Sequence, residues 1–369
     1  MRPQSNTEHI NQSILEKLQP MELPPLPENP LVSVLIANYN YGQYIGEAIE
    51  SVLNQTYQNF EIVICDDGST DNSLEVIRSY AEQDRRIKYI AKENGGQASA
   101  LNECFYVAQG QIVCLLDSDD RFKPNKLENV VAALSNLTDV GMVIHPLNVI
   151  DQYGKKVRPL PIPKRLDSGW LAMDVLYSFR SWLCPPASGI SFRYDIIKKI
   201  LPIPERLKRN ADGYIIFGLP LLTKIKALKI PLADYRLHVT NITGIGWASP
   251  QSIEYVIDLK LYLKKAILNK LNINVDSKEE KLVYDLAESI ILYYLQTGRV
   301  PSIISPNIEI KKLFSYLKGK KRYIYRFLIF FPCKINTLII KQWHTNILLK
   351  RISDRIRLIL NRGQLKNTM

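Results

Sequence analysis

The stretch EIVICDDGSTDNS (61–73) decides how this chain folds. EIVIC is short, apolar and β-branched, as a buried strand requires, and DDGSTD is turn chemistry. Leu74, Val76, Ile77 and Tyr80 then recur at helical spacing, with Thr70 or Asp71 as the expected N-cap. Strand, turn and helix make one βα unit. The same unit precedes it: VSVLIANYN (32–40) leads into YIGEAIESVLNQT (44–56), where Ile45, Ala48, Ile49, Val52 and Leu53 share a helical face. It follows twice more, as IKYI (87–90), KENGGQ and a helix over 97–108, then as IVCLLD (112–117) and KPNKLENVVAAL (123–134). Four successive units predict an α/β fold, a mostly parallel sheet between helices on both faces. Such sheets bind ligands outside the carboxyl ends of their strands, where ANYNYG, CDDGSTD and LDSDD converge.

The fourth strand ends in LLDSDDRF (115–122), which sets Asp117, Asp119 and Asp120 around one serine. Asp117 and Asp119 share a rim with Asp66 and Asp67. Neighbouring carboxylates repel at neutral pH unless a cation or a ligand's hydrogen-bond donors compensate. A divalent ion such as Mg²⁺ or Mn²⁺, bound through carboxylate oxygen and bridging the phosphates of a nucleotide, supplies that compensation. Taken singly, DDGS, NGG and LDSDD are ordinary turn sequences; their joint occurrence at one rim points to a ligand.

At 369 residues the chain has room for about two domains. No apolar run approaches the roughly 18 residues that span a bilayer. The first 30 residues carry no apolar signal core, and Pro20, Pro24, Pro25, Pro27 and Pro30 give them the composition of a semi-rigid leader. The five cysteines lack metal-ligand spacing, so buried free thiols in a reducing cytosol are expected. Charge is unevenly placed. Residues 308–369 hold 15 Lys and Arg against Glu309 and Asp354, a net of +13 in a chain of +12. Within them NILLKRISDRIRLIL (346–360) sets Leu348, Leu349, Ile352, Ile356 and Ile359 on one face of a basic amphipathic helix. An anionic membrane surface is the expected partner of this tail. Nucleic acid competes for the same charge and is not the expected partner; a solvated helix face supporting the core is the plain alternative. The expected organisation is a leader (1–30), an α/β domain (31–245) and a helical, basic region (246–369).

Together VSVLIANYN, EIVICDDGSTDNS, ENGGQASALN and VCLLDSDD resemble the family 2 glycosyltransferases, whose nucleotide-sugar-binding domain has the GT-A fold. The match spans about residues 32–240. The resemblance implies transfer of a sugar from a nucleotide donor with inversion at the anomeric carbon, usually assisted by Mn²⁺ or Mg²⁺. It implies that Asp66 accepts from the base, a uracil N3–H being the donor, with Asp67 holding the turn. Ala37 and Tyr39 then approach base and ribose, and Asn94, Gly95 and Gly96 form a loop whose small residues let backbone come near the nucleotide. Asp117 falls on the ribose side and Asp119 on the metal, with Asp120 behind them. The acceptor's proton goes to the Asp of a Glu-Asp pair some 90 residues later; here RNADGYIIFGLPLL (209–222) offers Asp212, with Ala211 in place of the Glu. A helix cap is the plain alternative for Asp212. In LADYRLHVTNIT (232–243) the resemblance offers His238 as a further metal ligand, a structural histidine being the plain alternative, while Arg236 steadies phosphate or sheet. Trp182, in WLCPPASG (182–189), either stacks on an acceptor sugar or fills the core.

The expected function is a hexosyl- or N-acetylhexosaminyltransferase that moves sugar from a donor, expected to be UDP-linked, to a glycan or lipid-linked acceptor in bacterial cell-surface polysaccharide synthesis. Its expected place is the cytoplasm, peripheral on the inner face of the plasma membrane. No QxxRW motif of processive synthases is present, so one sugar per encounter is expected. IANYNYGQYI has neither the Gly-rich, Arg-containing loop of a nucleotidyltransferase nor the G-x-G-x-x-G of a dinucleotide enzyme. The remaining alternative, a non-catalytic nucleotide-sugar-binding module recruited to membrane, is favoured only by Ala211.

Overall fold

The computed structural model describes residues 18–135, 137–157, 166–172, 174–178, 183–238 and 250–273, with 290, 291, 293, 294, 297 and 299. The chain divides into two compact units, Met1–His238 with Leu263–Val275, and Val239–Tyr262 with Asp276–Met369. The basic tail and Trp182 lie outside the described residues. Among those described, no helix is long and apolar enough to cross a membrane.

The first unit opens with the expected alternation: β1 (Val32–Asn38), α1 (Gly42–Leu53), β2 (Phe60–Asp66), α2 (Ser73–Gln83), β3 (Ile87–Ala91), α3 (Gln97–Val107) and β4 (Ile112–Leu115). Next come a short β5 (Arg121–Phe122), α4 (Lys126–Leu134), β6 (Val140–Ile144), β7 (Leu147–Asp151) and β8 (Lys156–Val157). β9 (Ile190–Arg193), the single turn α5 (Tyr194–Ile197), α6 (Asp212–Gly218), β10 (Lys224–Ala227) and β11 (Ala233–Leu237) follow, and α7 spans Pro250–Lys270. Seven strands form one sheet in the order β10-β6-β9-β4-β1-β2-β3. β1 to β4 pair in parallel, as does β10 with β6, while β9 runs antiparallel between β4 and β6. A second sheet, β5-β11-β7-β8, carries β11 beside β7.

Burial follows the period-2 geometry of the strands. Val32, Val34, Ile36, Ile62 and Ile64 bury one sheet face against Ile45, Ile49 and Val52 of α1, Ile77 of α2 and Leu127 and Val130 of α4. On the other face Phe105 of α3 meets Phe192 of β9, and Cys104 rests against the carbonyls of Ile36 and Val63. Cys65, Cys104 and Cys114 are buried free thiols, as their places in the pattern require. Both faces being covered explains why β1 and β2 read as continuous apolar runs.

Two local outcomes differ from the sequence reading. Asn72, not Thr70 or Asp71, precedes the first turn of α2. Asp71 bridges two helix starts instead, accepting from Ser73 N at 2.9 Å and from Gly42 N at 2.8 Å. Gly42 makes that meeting possible, since a Cβ there would lie 2.0 Å from Asn72 Oδ1. The described part of the leader is also strapped to the domain: Met21 N donates to Leu222 O, Leu23 N to Thr138 O, and Arg193 Nη2 to Pro24 O.

Candidate active site

Parallel register brings the carboxyl ends of β1, β2 and β3 level, with Asn38 beside Asp66 and Asp66 beside Ala91. The first two loops interlock there. Asp66 is buried and accepts from Ser69 N at 3.0 Å, Ser69 Oγ at 2.7 Å and Asn38 Nδ2 at 2.8 Å. Asn40, in the left-handed region at φ 59°, donates its N–H to Ser69 Oγ and accepts from Thr70 N through Oδ1. Ala37 turns its carbonyl to Ser118 Oγ at 2.8 Å, which ties the end of β1 to the acidic loop. Tyr39 is half exposed at the rim.

Asp67 does more than hold its own turn. Its Oδ1 accepts from Gly95 N at 2.9 Å and Lys92 Nζ at 3.0 Å, and its Oδ2 accepts from Gly96 N at 2.7 Å. One buried carboxylate thereby fixes the loop that contains Asn94, Gly95 and Gly96, leaving Asn94 exposed. Gly96 has φ +88°, and a Cβ there would meet Lys208 Cα at 2.7 Å, so its smallness admits the segment leading to Asp212.

The acidic loop is held from behind. Asp120 is fully buried and accepts from Ser188 Oγ at 2.6 Å and Arg236 N at 2.8 Å. Ser188 Oγ also accepts the Asp117 N–H at 3.0 Å. Arg236, likewise buried, donates to Asp119 O at 2.7 Å, Gln152 O at 3.1 Å and Glu47 Oε2 at 2.6 Å, and its guanidinium lies 4.8 Å from the Tyr44 ring centroid. Lys126 Nζ donates to Ser188 O and sits 3.5 Å above the centre of the Phe122 ring. Burial lowers its pKa to about 7, against the carboxylates of Asp120 and Asp117, which pull it up.

Asp119 meets His238, Oδ2 to Nε2 being 2.7 Å, with the rings of Tyr41 and Tyr44 at 5.7 and 5.3 Å from the imidazole. A carboxylate beside a ring nitrogen suits Mn²⁺ or Mg²⁺ when phosphate oxygens and water complete the shell. Among the described residues no group of three or more His, Cys, Asp or Glu side chains is placed to hold an ion unaided. The donor set thus fits a metal shared with a ligand. Burial first, then the charges of Asp119 and Asp212, hold the Asp117 carboxyl well above the usual range. Burial raises Asp212 too, against the amides of Gly213 and of Asp212 itself. Asp212 is the first residue of α6, with Ala211 preceding it and no side-chain cap. Cys184 lies near as well; burial and then the Asp212 charge push its thiol up to about 12.

Residues 33–200 match the family model described as Glycosyl transferase family 2. An uncharacterized glycosyltransferase of Rickettsia prowazekii (strain Madrid E) is 39% identical over 320 residues, covering 80% of this chain and 98% of that protein. The chain belongs to glycosyltransferase family 2. An uncharacterized glycosyltransferase of Nostoc sp. is 42% identical over 212 residues, 57% of this chain. The chain spans 66% of that Nostoc protein's length, and as little as 12% of other relatives it matches. Among solved structures, S. aureus TarS 1–349 in complex with UDP-GlcNAc superposes with a TM-score of 0.55 at 18% identity, covering 85% of this chain and 92% of that one. At that identity the likeness speaks for the fold, which is that of a GT-A glycosyltransferase. Family membership accounts for the order of the rim motifs. The residues behind them, Ser188, Lys126 and Glu47, carry no motif of their own.

Proposed function

We propose that this chain transfers a sugar from a nucleoside diphosphate donor, expected to be UDP-linked, to the hydroxyl of a glycan or lipid-linked acceptor, inverting the anomeric carbon. The observation that carries the reading is the 2.7 Å contact of Asp119 with His238 at the rim whose loops Asp66 and Asp67 fix. It supports a shared cation and a phosphate-bearing donor at one place. TarS, of the same fold, was captured with UDP-GlcNAc, which favours a sugar nucleotide here.

In this reading the base lies against the β1 and β2 loops, where Asp66 takes its N–H and Tyr39 lies beside base and ribose. Asp117 meets the ribose. Asp119 and His238 would hold a divalent cation, which would supply positive charge to the leaving diphosphate. Asp212 takes the proton of the acceptor hydroxyl as its oxygen bonds to the anomeric carbon and the bond to the diphosphate breaks. A carboxylate with its pKa raised by burial suits that work, because basicity rises with pKa. The non-catalytic alternative rests on Ala211 alone. The basic tail, outside the described residues, remains our candidate for binding an anionic membrane surface, in keeping with cell-surface polysaccharide synthesis at the inner face of the plasma membrane.

Asp212→Asn tests the assignment, since it keeps the shape and removes the basicity. Transfer should fall by roughly 10²-fold or more with donor binding retained. Near-normal transfer would return Asp212 to a purely structural role.

A further inference from the structure

We infer that Gln97 is the positioning residue for Asp212, and that through it the loop fixed by Asp67 sets the geometry of proton removal. The inference rests on the reading of Asp212 as the base. Gln97 is the first residue of α3, and its side-chain Oε1 accepts the backbone N–H of Ala211 at 2.9 Å. Ala211 is fully buried, so Gln97 satisfies an amide that water does not reach, one peptide unit before the candidate base. The backbone of the same helix start grips the same segment: Gln97 N donates to Lys208 O at 3.0 Å and Ala98 N to Leu207 O at 3.2 Å. Asn102, further along α3, exchanges two 2.8 Å bonds with the backbone of Ile203. Beyond this clasp the chain turns into α6 through Asn210, at φ 55°, whose carbonyl accepts from Gly213 N.

The division of labour follows from these bonds. Segment 203–208 is moored by several contacts and stays in place without the Gln97 side chain. The Gln97 side chain extends that hold to the amide of Ala211, next to Asp212. Releasing it should let Asp212 drift while the nucleotide loop, held by Asp67, keeps its form. A displacement near 1 Å at a reacting group costs roughly 10²-fold in rate.

The test compares Gln97→Met, which keeps the volume and loses the acceptor, with Gln97→Glu, which keeps an acceptor oxygen at the same reach. The donor is whichever of UDP-glucose, UDP-galactose, UDP-GlcNAc and GDP-mannose the full chain turns over, with p-nitrophenyl glycosides as acceptors. Gln97→Met should lower kcat roughly 10- to 100-fold with the donor KM within about twofold, and Gln97→Glu should recover most of the loss. Asp212→Asn alone and combined with Gln97→Met completes a cycle. If Gln97 acts through Asp212, the double variant is no slower than Asp212→Asn. Losses that multiply, a rise in KM instead of a fall in kcat, or no recovery in Gln97→Glu would each overturn the inference. Normal transfer in Asp212→Asn would instead remove the base assignment on which it rests. Unfolding of Gln97→Met together with an inactive Gln97→Glu would assign Gln97 to the fold and also refute it.

Discussion

Asp67→Asn is the most exacting perturbation of this rim. In the native site one oxygen accepts from Gly95 N and Lys92 Nζ, and the other accepts from Gly96 N at 2.7 Å. An asparagine turned to keep the Gly95 bond presents its NH₂ to the Gly96 N–H, donor against donor. A hydrogen bond to a charged group is worth about 1.5–3 kcal/mol, and the Lys92 pair, with the lysine partly exposed, adds about 0–1 kcal/mol. The expected cost is therefore about 3 kcal/mol. At about 2–4 °C per kcal/mol for a domain of this size, Tm should fall by roughly 6–12 °C. Because the same loop grips residues 207–208 through α3, hydrogen exchange should speed up in peptides over both 92–98 and 203–212. A thermal melt and exchange mass spectrometry read both effects. A Tm within about 1 °C of wild type, or faster exchange confined to 92–98, would refute the reasoning that Asp67 organises the two segments together.

Asp119→Ala should abolish transfer and any Mn²⁺-dependent thermal shift with UDP while leaving Tm nearly unchanged, since the loop backbone is held by Arg236 and Ser188; an intact Mn²⁺-dependent shift would contradict the metal assignment. Burial holds Lys126 at about 7 in the fold against an ordinary lysine value of 10.5, so between them the unfolded chain binds the extra proton and stability rises with pH. Relative to Lys126→Met, the urea stability of wild type should climb from pH 7 to 9 by up to about 1.4 kcal/mol per unit, and a flat difference would count against a depressed lysine. Removing the chain from Arg326 onward should abolish flotation with anionic liposomes and leave donor hydrolysis largely intact; equal flotation of both forms would exclude the tail as the anchor.

The βα units were legible because each is local: a β-branched run, a turn and a helical period lie within about 30 residues of sequence. The rim carboxylates were legible for the same reason, since Asp66, Asp67, Asp117 and Asp119 end their own strands. His238 and Asp212 needed the family resemblance, because nothing nearby in sequence marks them. What stayed hidden depends on distant partners. Lys126 reaches Ser188 across 62 residues, Ser188 reaches Asp120 across 68, and Gln97 reaches Ala211 across 114. ISFR (190–193) is too short to declare its direction, so the antiparallel place of β9 between β4 and β6 could not be anticipated. Asp71 was legible at the start of α2, where it accepts from Ser73 N, but its second partner, Gly42, lies 29 residues away and was not.

The reversed β9 has a consequence for how such a chain can diverge. Its parallel neighbours bring their carboxyl ends to the rim, whereas β9 brings its beginning, with Ser188 and Gly189 just ahead of Ile190. The described residues just before it, 183–187, are therefore brought to the rim without any strand of the sheet being interrupted. Chain inserted between two anchored points raises the closure entropy slowly, by about 0.6 kcal/mol for each doubling of length. Insertion or exchange there carries a small cost while the rim loops stay fixed by their strands. Side chains brought to that edge can change without rebuilding the loops that Asp66 and Asp67 hold.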